Sequence, residues 1–157
     1  MKKISYIDDW ETWKDGFRFS HPIKVRFSET DMFGHVNNTF PFVYFEEARI
    51  EYFKYLGFMQ EWLSPDFDSM PVVADLQCDY LAQMYYGDDI EIYVKSHNVG
   101  NTSVDIHYMA VNQKGNVCLT GRGTLVQMSR QTGKGTPWTE EMRMKMRLSE
   151  RASAQSE

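Results

Sequence analysis

The most informative stretch of the chain is 39–56, which reads TFPFVYFEEARIEYFKYL. Apolar residues recur in it and just beyond it at steps of three and four, the spacing of one buried helix face: Phe45, Ala48, Tyr52, Leu56 and Met59. Asn37 or Asn38 is expected to cap the helix, Pro41 is tolerated in its first turn, and Gly57 ends it. The pattern predicts one long helix with a single packed face.

The segments on either side of this helix have the alternating pattern of strands. Before it, His21-Pro22 is expected to break the chain, and a half-buried strand then runs through Ile23, Val25 and Phe27. After it, four alternating segments separated by glycine turns lie near 72–80, 90–94, 104–110 and 117–128. A strand, a long helix and a four-stranded meander predict an α+β domain. In that domain, a curved antiparallel sheet of about five strands wraps one central helix.

Length and composition restrict the class of protein. A chain of 157 residues is the usual size of one domain, and 42% hydrophobic residues exclude a disordered chain. The net charge of −5 argues against a nucleic-acid partner, which would need a basic face. Cys78 and Cys118 give no disulfide framework. The acidic N-terminal region and the lack of a long apolar segment predict no secretion signal, no membrane association and a cytoplasmic location.

The ends of the chain differ in composition from its middle. We divide it into an N-terminal arm (1–20), a main domain (21–130) and a C-terminal extension (131–157). Trp10, Trp13 and Phe17 suit a short amphipathic helix packed on the main body, or an arm that binds a partner. In the extension, Met142 and Met146 share one face of a short helix, and a polar tail follows.

Few side chains are arranged for chemistry. The sequence lacks phosphate-binding, dinucleotide-binding, zinc-protease and serine-hydrolase motifs, and its four histidines do not have metal-ligand spacing. The exception is the loop 28–38, SETDMFGHVNN, which places Asp31 shortly before the long helix. The first N–H groups of a helix lack internal partners and can polarise a carbonyl oxygen. Asp31 is therefore either a base or nucleophile beside an oxyanion site, or a residue that caps a turn.

This loop and the helix after it resemble a known family. The motif is Asp31-x-x-Gly34-His35-Val36-Asn37-Asn38, followed by Tyr44-x-Glu46-x-Ala48-Arg49. It is similar to that of the hot-dog-fold acyl-CoA thioesterases of the 4-hydroxybenzoyl-CoA thioesterase type, and the resemblance covers roughly 23–128. It implies a hot-dog fold and hydrolysis of an acyl-CoA without a metal or tightly bound cofactor. It also implies a homodimer or a tetramer, which agrees with unpaired edge strands that favour pairing with a second copy.

The resemblance also implies roles for individual residues. Asp31 stands where the family has its catalytic carboxylate, which attacks the thioester or activates water. The backbone N–H near Asn38 would polarise the thioester oxygen. Glu46 and Arg49 are interpreted as structural support, with Glu46 paired to Arg49 or to a loop amide; a direct chemical role for Glu46 is the alternative.

Substrate contacts are expected from the loop, the first helical turn and the turn after the last strand: Phe33, Gly34, His35, Asn37, Pro41, Arg130 and Lys134. His35 could act as a general base or shape the turn through hydrogen bonds. Pro41 replaces an aromatic residue common in the family and should reshape the acyl end of the pocket. Arg130, Lys134 and Lys95 are candidates for binding the coenzyme A phosphates, or are solvated surface residues.

Two other functions are compatible with the sequence. A hydratase or dehydratase of acyl thioesters could use the same fold, although such enzymes usually need an Asp and His pair in a different loop. A non-catalytic protein that binds acyl thioesters is the second alternative. The presence of Asp31 favours the thioesterase over the binding protein.

Overall fold

The structure is a computed structural model that describes residues 2–149. Within this range the strands are β1 (Phe19–Lys24), β2 (Ser69–Tyr80), β3 (Asp89–Val99), β4 (Ser103–Val111) and β5 (Val117–Ser129). The helices are α1 (Trp10–Asp15), α2 (Phe40–Leu56), α3 (Phe58–Trp62) and α4 (Glu140–Leu148). The C-terminal residues 150–157, where most of the polar tail was predicted, lie outside the described residues.

The strands form one antiparallel sheet in the order β1-β3-β4-β5-β2. The meander β3-β4-β5 occupies its centre, and the strands on either side of α2 in the sequence, β1 and β2, form its two edges. The long helix α2 packs across one face of this sheet. The predicted α+β architecture, one long helix against a curved sheet of five strands, is confirmed.

The main core lies between α2 and the sheet. The stripe predicted for α2 is buried, with Phe45, Ala48 and Tyr52 fully inaccessible to solvent. They face apolar side chains from the central strands, such as Ile92 and Ile106. Because α2 buries aromatic rings along its whole length, burial of this face fixes the helix on the sheet.

The first strand differs from the prediction. The expected break at His21-Pro22 is wrong, and the strand predicted through Ile23, Val25 and Phe27 starts and ends earlier, because β1 runs from Phe19 through Pro22 to Lys24. Proline lacks an N–H donor, but β1 is an edge strand that pairs with β3 alone, so the missing donor is tolerated. The chain then leaves the sheet, and Phe27 is exposed at the start of a 3₁₀ turn.

The N-terminal arm packs on the opposite, outer face of the sheet. Asp9 caps α1 by accepting a hydrogen bond from the Thr12 N–H. Trp13 and Phe17 then form a second apolar cluster with Met109 of β4. On the C-terminal side, Thr139 caps α4 by accepting a hydrogen bond from the Met142 N–H. Met142 and Met146 of α4 join the main core, so α1 and α4 both pack against the sheet.

Candidate active site

The loop before α2 is a compact, internally bonded turn. Thr30 pairs with Val36, the Asp31 N–H donates to the His35 carbonyl at 2.8 Å, and the Gly34 N–H donates to the Asp31 carbonyl at 3.0 Å. Gly34 has a φ of +83°, a conformation that is strained for residues with a Cβ atom. The glycine of the motif is thus required by the path of the chain.

The Asp31 carboxylate caps this turn by accepting hydrogen bonds from its backbone. Its Oδ1 accepts hydrogen bonds from the N–H groups of Phe33, at 2.9 Å, and of His35, at 3.4 Å. The predicted turn-capping role is therefore present. Both bonds use Oδ1, so the second oxygen, Oδ2, is not consumed by the turn, and the side chain is only partly buried. Capping and chemistry can be performed by different oxygens of one carboxylate.

The start of α2 is organised by Asn37. Its Oδ1 accepts hydrogen bonds from the N–H and the hydroxyl of Thr39, and its carbonyl accepts from the Phe40 N–H. The expected cap at Asn37 or Asn38 is wrong, because Thr39 occupies the N-cap position and makes no side-chain capping bond. The described residues provide no acceptor for the N–H of Asn38.

The loop is also held in place by the buried carboxylate of Glu29. It accepts hydrogen bonds from the Arg26 N–H at 2.9 Å and the Tyr44 hydroxyl at 2.8 Å, and pairs with the Arg26 guanidinium. Its carbonyl accepts from the Asn37 N–H. Burial disfavours the charged form, but the hydrogen bonds from Arg26 and Tyr44 outweigh it and hold the pKa of Glu29 below its usual range. Glu29 is not among the residues predicted for the site, although the Arg26–Glu29 spacing resembles a capping box.

A cleft of about 210 Å³ opens beside the loop and the helix start. Its walls are mostly apolar: Val36, Pro41, Tyr80, Leu81, Ala82, Gln83, Met84 and Leu119. Tyr80 also donates from its hydroxyl to the Asn38 carbonyl at 2.5 Å, which ties the end of β2 to the helix start. The cleft thus lies against the segment that contains Asn38.

The residues predicted to contact the substrate near this loop lie in different environments. Pro41 lines the cleft, whereas Phe33 is 78% exposed and His35 packs edge-on against Tyr85. The backbone of His35 also forms a bridge with Tyr85 and accepts from the Asp31 N–H. These contacts favour the turn-shaping role of His35 over the general-base role.

The predicted phosphate-binding cations do not gather at the cleft. Arg130 donates to the Trp62 carbonyl, and Lys134 lies in the exposed turn after β5. Leu119, near the start of the strand β5, lines the cleft, and Arg130 directly follows the end of that strand, so the cations lie roughly 35 Å from the cleft along β5. Lys95 as a surface cation is wrong: only 2% of it is exposed, and it donates to the Trp13 carbonyl under the arm.

The predicted Glu46–Arg49 pair exists but is loose. Arg49 Nη2 lies 3.9 Å from a carboxylate oxygen of Glu46, whose side chain is largely exposed. Arg49 itself is buried and donates to the Tyr108 hydroxyl at 3.1 Å. The guanidinium therefore joins α2 to β4, while Glu46 adds little to it.

Neither a cluster of metal-ligating side chains nor a membrane-spanning helix is found among residues 2–149. No group of three or more His, Cys, Asp or Glu side chains in this range could hold a metal ion. None of the helices there has the length and apolarity needed to span a bilayer.

Known proteins place this fold and loop in a family. The sequence model of the thioesterase-like superfamily matches residues 25–146, which include the loop, α2 and all of the meander. The chain belongs to the thioesterase-like superfamily. It is a thioester hydrolase with the hot-dog fold of that superfamily.

Individual relatives agree with this assignment. The uncharacterized protein YsmA of Bacillus subtilis is 48% identical over 142 residues, which cover 90% of this chain and 94% of YsmA. A predicted thioesterase from Bacillus stearothermophilus is 37% identical with a TM-score of 0.74, and the match covers 83% of this chain and 95% of that one. A Thermus thermophilus thioesterase complexed with coenzyme A and Zn is 30% identical with a TM-score of 0.72, and the match covers 86% of this chain and 96% of that one.

Proposed function

We propose that this superfamily member hydrolyses acyl-CoA thioesters to a carboxylic acid and free coenzyme A, with Asp31 as nucleophile or general base. The observation that supports this most is a partly exposed carboxylate, Asp31, in a hydrogen-bonded loop whose Val36 lines the apolar cleft at the start of α2. Coenzyme A as the leaving group is supported by the Thermus thermophilus thioesterase, which is complexed with it.

The proposed reaction uses groups of the loop and the helix start. Asp31 attacks the thioester carbonyl carbon, or removes a proton from a water molecule that attacks it. Negative charge then develops on the carbonyl oxygen. The N–H of Asn38 lies next to the positive end of the α2 dipole and has no acceptor among the described residues, so we propose that it donates to that oxygen. Collapse of the intermediate expels the thiolate of coenzyme A, which takes up a proton. After direct attack by Asp31, water hydrolyses the Asp31–acyl anhydride that remains, and in both routes the acyl group leaves as a carboxylic acid. We propose no metal or other cofactor in these steps.

A homodimer would bring phosphate-binding cations to this site. The edge strand β2 exposes apolar side chains, including Leu76 and Tyr80, and edges of this kind pair with a second copy. If two β2 edges pair in antiparallel fashion, the start of β2 in one copy lies beside the Tyr80 end of the other. Arg130, which is next to the start of β2, would then approach the partner's cleft. We therefore propose a homodimer in which Arg130 and Lys134 bind the coenzyme A phosphates across the interface.

Release of free thiol from a panel of acyl-CoAs tests this function. The protein is incubated with saturated and α,β-unsaturated acyl-CoAs, and free thiol and the conjugated double bond are followed separately. The thioesterase predicts thiol release from at least one substrate. Loss of the double bond without thiol would indicate a hydratase, and ligand binding without either reaction would indicate a non-catalytic binding protein. The last two results contradict the proposal.

A further inference from the structure

The inner end of the cleft is formed by residues that lie next to its lining, further along α2 and β5. On α2 the cleft is lined by Pro41, and Phe45 follows four positions later, one turn further along the same face. On β5 the cleft is lined by Leu119, and Gly121 follows two positions later on the same side of the strand. Phe45 and Gly121 therefore form the layer directly behind the cleft.

This layer is closed. A Cβ atom placed on Gly121 would lie 2.4 Å from the Phe45 ring, closer than any two such atoms can approach. The ring therefore rests on the bare backbone of β5, and Phe45 has no solvent-exposed surface. No methylene chain can pass between α2 and β5 at this point without displacing the ring.

The ring is also held from the other side. Phe45 stacks on Tyr108 of β4 with ring centroids 4.5 Å apart and planes within 12° of each other. Tyr108 is fully buried, and its hydroxyl accepts a hydrogen bond from the buried Arg49. Because Tyr108 is fixed at both its ring and its hydroxyl, Phe45 has little freedom to swing away from the cleft.

We propose that Phe45 is the end wall of the acyl pocket and limits this thioesterase to short or single-ring acyl groups. The inference rests on the proposed acyl-CoA hydrolysis, with the acyl group in the cleft. The cleft in front of this closed layer has a volume of about 210 Å³. An acyl group of hexanoyl or benzoyl size fits this volume, whereas a lauroyl or palmitoyl chain has to enter the closed layer.

The first test is the dependence of kcat/KM on acyl length, measured by thiol release for acetyl-CoA to palmitoyl-CoA and for benzoyl-CoA. We expect kcat/KM to fall at least about tenfold between hexanoyl-CoA and lauroyl-CoA, since extra methylenes that do not fit a pocket are rejected by such factors. Similar kcat/KM values from hexanoyl-CoA to palmitoyl-CoA would overturn the length limit and leave the hydrolase assignment intact. No thiol release from any acyl-CoA would overturn both.

The second test changes the wall itself. Phe45→Leu should open the layer behind the cleft and move the longest efficiently hydrolysed acyl group to greater length. The matched control is Phe53→Leu, the same change two turns further along α2, where the ring packs on Phe58 and Trp62 away from the cleft. The control should keep the wild-type length profile despite its loosened core. Equal profiles for the Phe45 variant and wild type would overturn the proposal.

A third variant adds side-chain volume to the cleft wall and removes none from the core. Leu119→Phe enlarges the opposite wall of the cleft and should shorten the longest accepted acyl group, with kcat/KM for acetyl-CoA reduced least. An unchanged preference among acetyl-, hexanoyl- and octanoyl-CoA in this variant would show that the acyl group lies elsewhere, and the proposal would be wrong.

Discussion

The two faces of the sheet are buried in different ways. The strand β4 contributes to both, because its side chains alternate across the sheet. Toward α2 it presents apolar residues and Tyr108, and toward the N-terminal arm it presents Asp105, His107 and Met109. Both faces exclude water, but the first does so with an apolar core and the second with a hydrogen-bonded polar network beneath α1.

The network under the arm is centred on His107, which is fully buried. Its Nδ1 accepts a hydrogen bond from Trp13 Nε1 at 2.8 Å, so its proton is on Nε2, which lies 3.0 Å from an Asp105 oxygen. Asp105 in turn accepts two hydrogen bonds from Arg122. The Lys95 ammonium donates to the Trp13 carbonyl at 2.8 Å. The arm is therefore attached through groups that must be in one protonation state.

This difference separates two kinds of stability. The α2 face depends on shape and apolar area, and it supports the loop that contains Asp31. The outer face depends on a set of donors and acceptors, each of which costs free energy if it loses its partner while buried. Mutations and pH should therefore affect the two faces differently.

The largest loss of stability is expected on the α2 face. Ile106→Ala removes a fully buried side chain from the centre of the sheet and should lower the free energy of unfolding by about 2–5 kcal/mol. Urea denaturation followed by circular dichroism measures it. A loss below about 1 kcal/mol would show that this face is loosely packed.

A smaller loss is expected on the outer face. Trp13→Phe keeps most of the ring but removes the donor to His107 Nδ1, and a buried acceptor without its partner costs about 1–3 kcal/mol. Limited proteolysis should cut the arm faster in this variant while thiol release stays near wild type. Equal cleavage rates in variant and wild type would contradict the importance of this hydrogen bond.

Acid should weaken the outer face before the α2 face. Burial lowers the pKa of His107; the hydrogen bond with Asp105 opposes this shift, and electrostatic interactions with His97 and Lys95 add to it. The unfolded histidine has a pKa of about 6.5 and takes up a proton first, so this stabilisation is complete above pH 6.5 and is lost as the pH falls. The free energy of unfolding should decrease by at most about 1.4 kcal/mol per pH unit from this group. His107→Phe should remove this part of the slope between pH 5 and 6.5; an unchanged slope would contradict it.

The smallest effect is expected for an ion pair that belongs to neither buried face. Lys24 and Asp89 are each 70% exposed and 3.3 Å apart. Lys24→Ala should change the free energy of unfolding by no more than about 0.5 kcal/mol. Denaturation under the conditions used for Ile106→Ala measures this change. A loss of free energy as large as that of Ile106→Ala would contradict the distinction between buried and exposed contacts.

Much of the fold could be predicted because its signals are local. The stripe on α2 and the glycine turns of the meander depend on neighbouring residues, and both predictions are confirmed. The prediction for β1 failed because tolerance of Pro22 depends on β1 lying at an edge, which only the assembled sheet reveals. The prediction that Lys95 is a surface cation failed for a similar reason, because the N-terminal arm covers the face of the sheet on which Lys95 lies.

The site was predictable to a similar extent. The motif located Asp31 and the helix start, but not the Glu29–Tyr44 hydrogen bond, which joins residues fifteen positions apart. The bond from Tyr80 to the Asn38 carbonyl spans forty-two positions and has no local signal. Residues that support a site from a distance are set by tertiary packing, and periodicity does not reveal them.

The most direct measurement of the central claim is kcat for a short acyl-CoA with Asp31→Asn. The amide keeps the size of the side chain and an oxygen for the Phe33 and His35 N–H groups, but it loses the negative charge. Asp66→Asn, in the exposed turn after α3, is the matched control. We predict that kcat falls at least about 100-fold in Asp31→Asn with an unchanged circular dichroism spectrum, while the control stays near wild type. A kcat within about twofold of wild type in a folded Asp31→Asn protein would contradict the account.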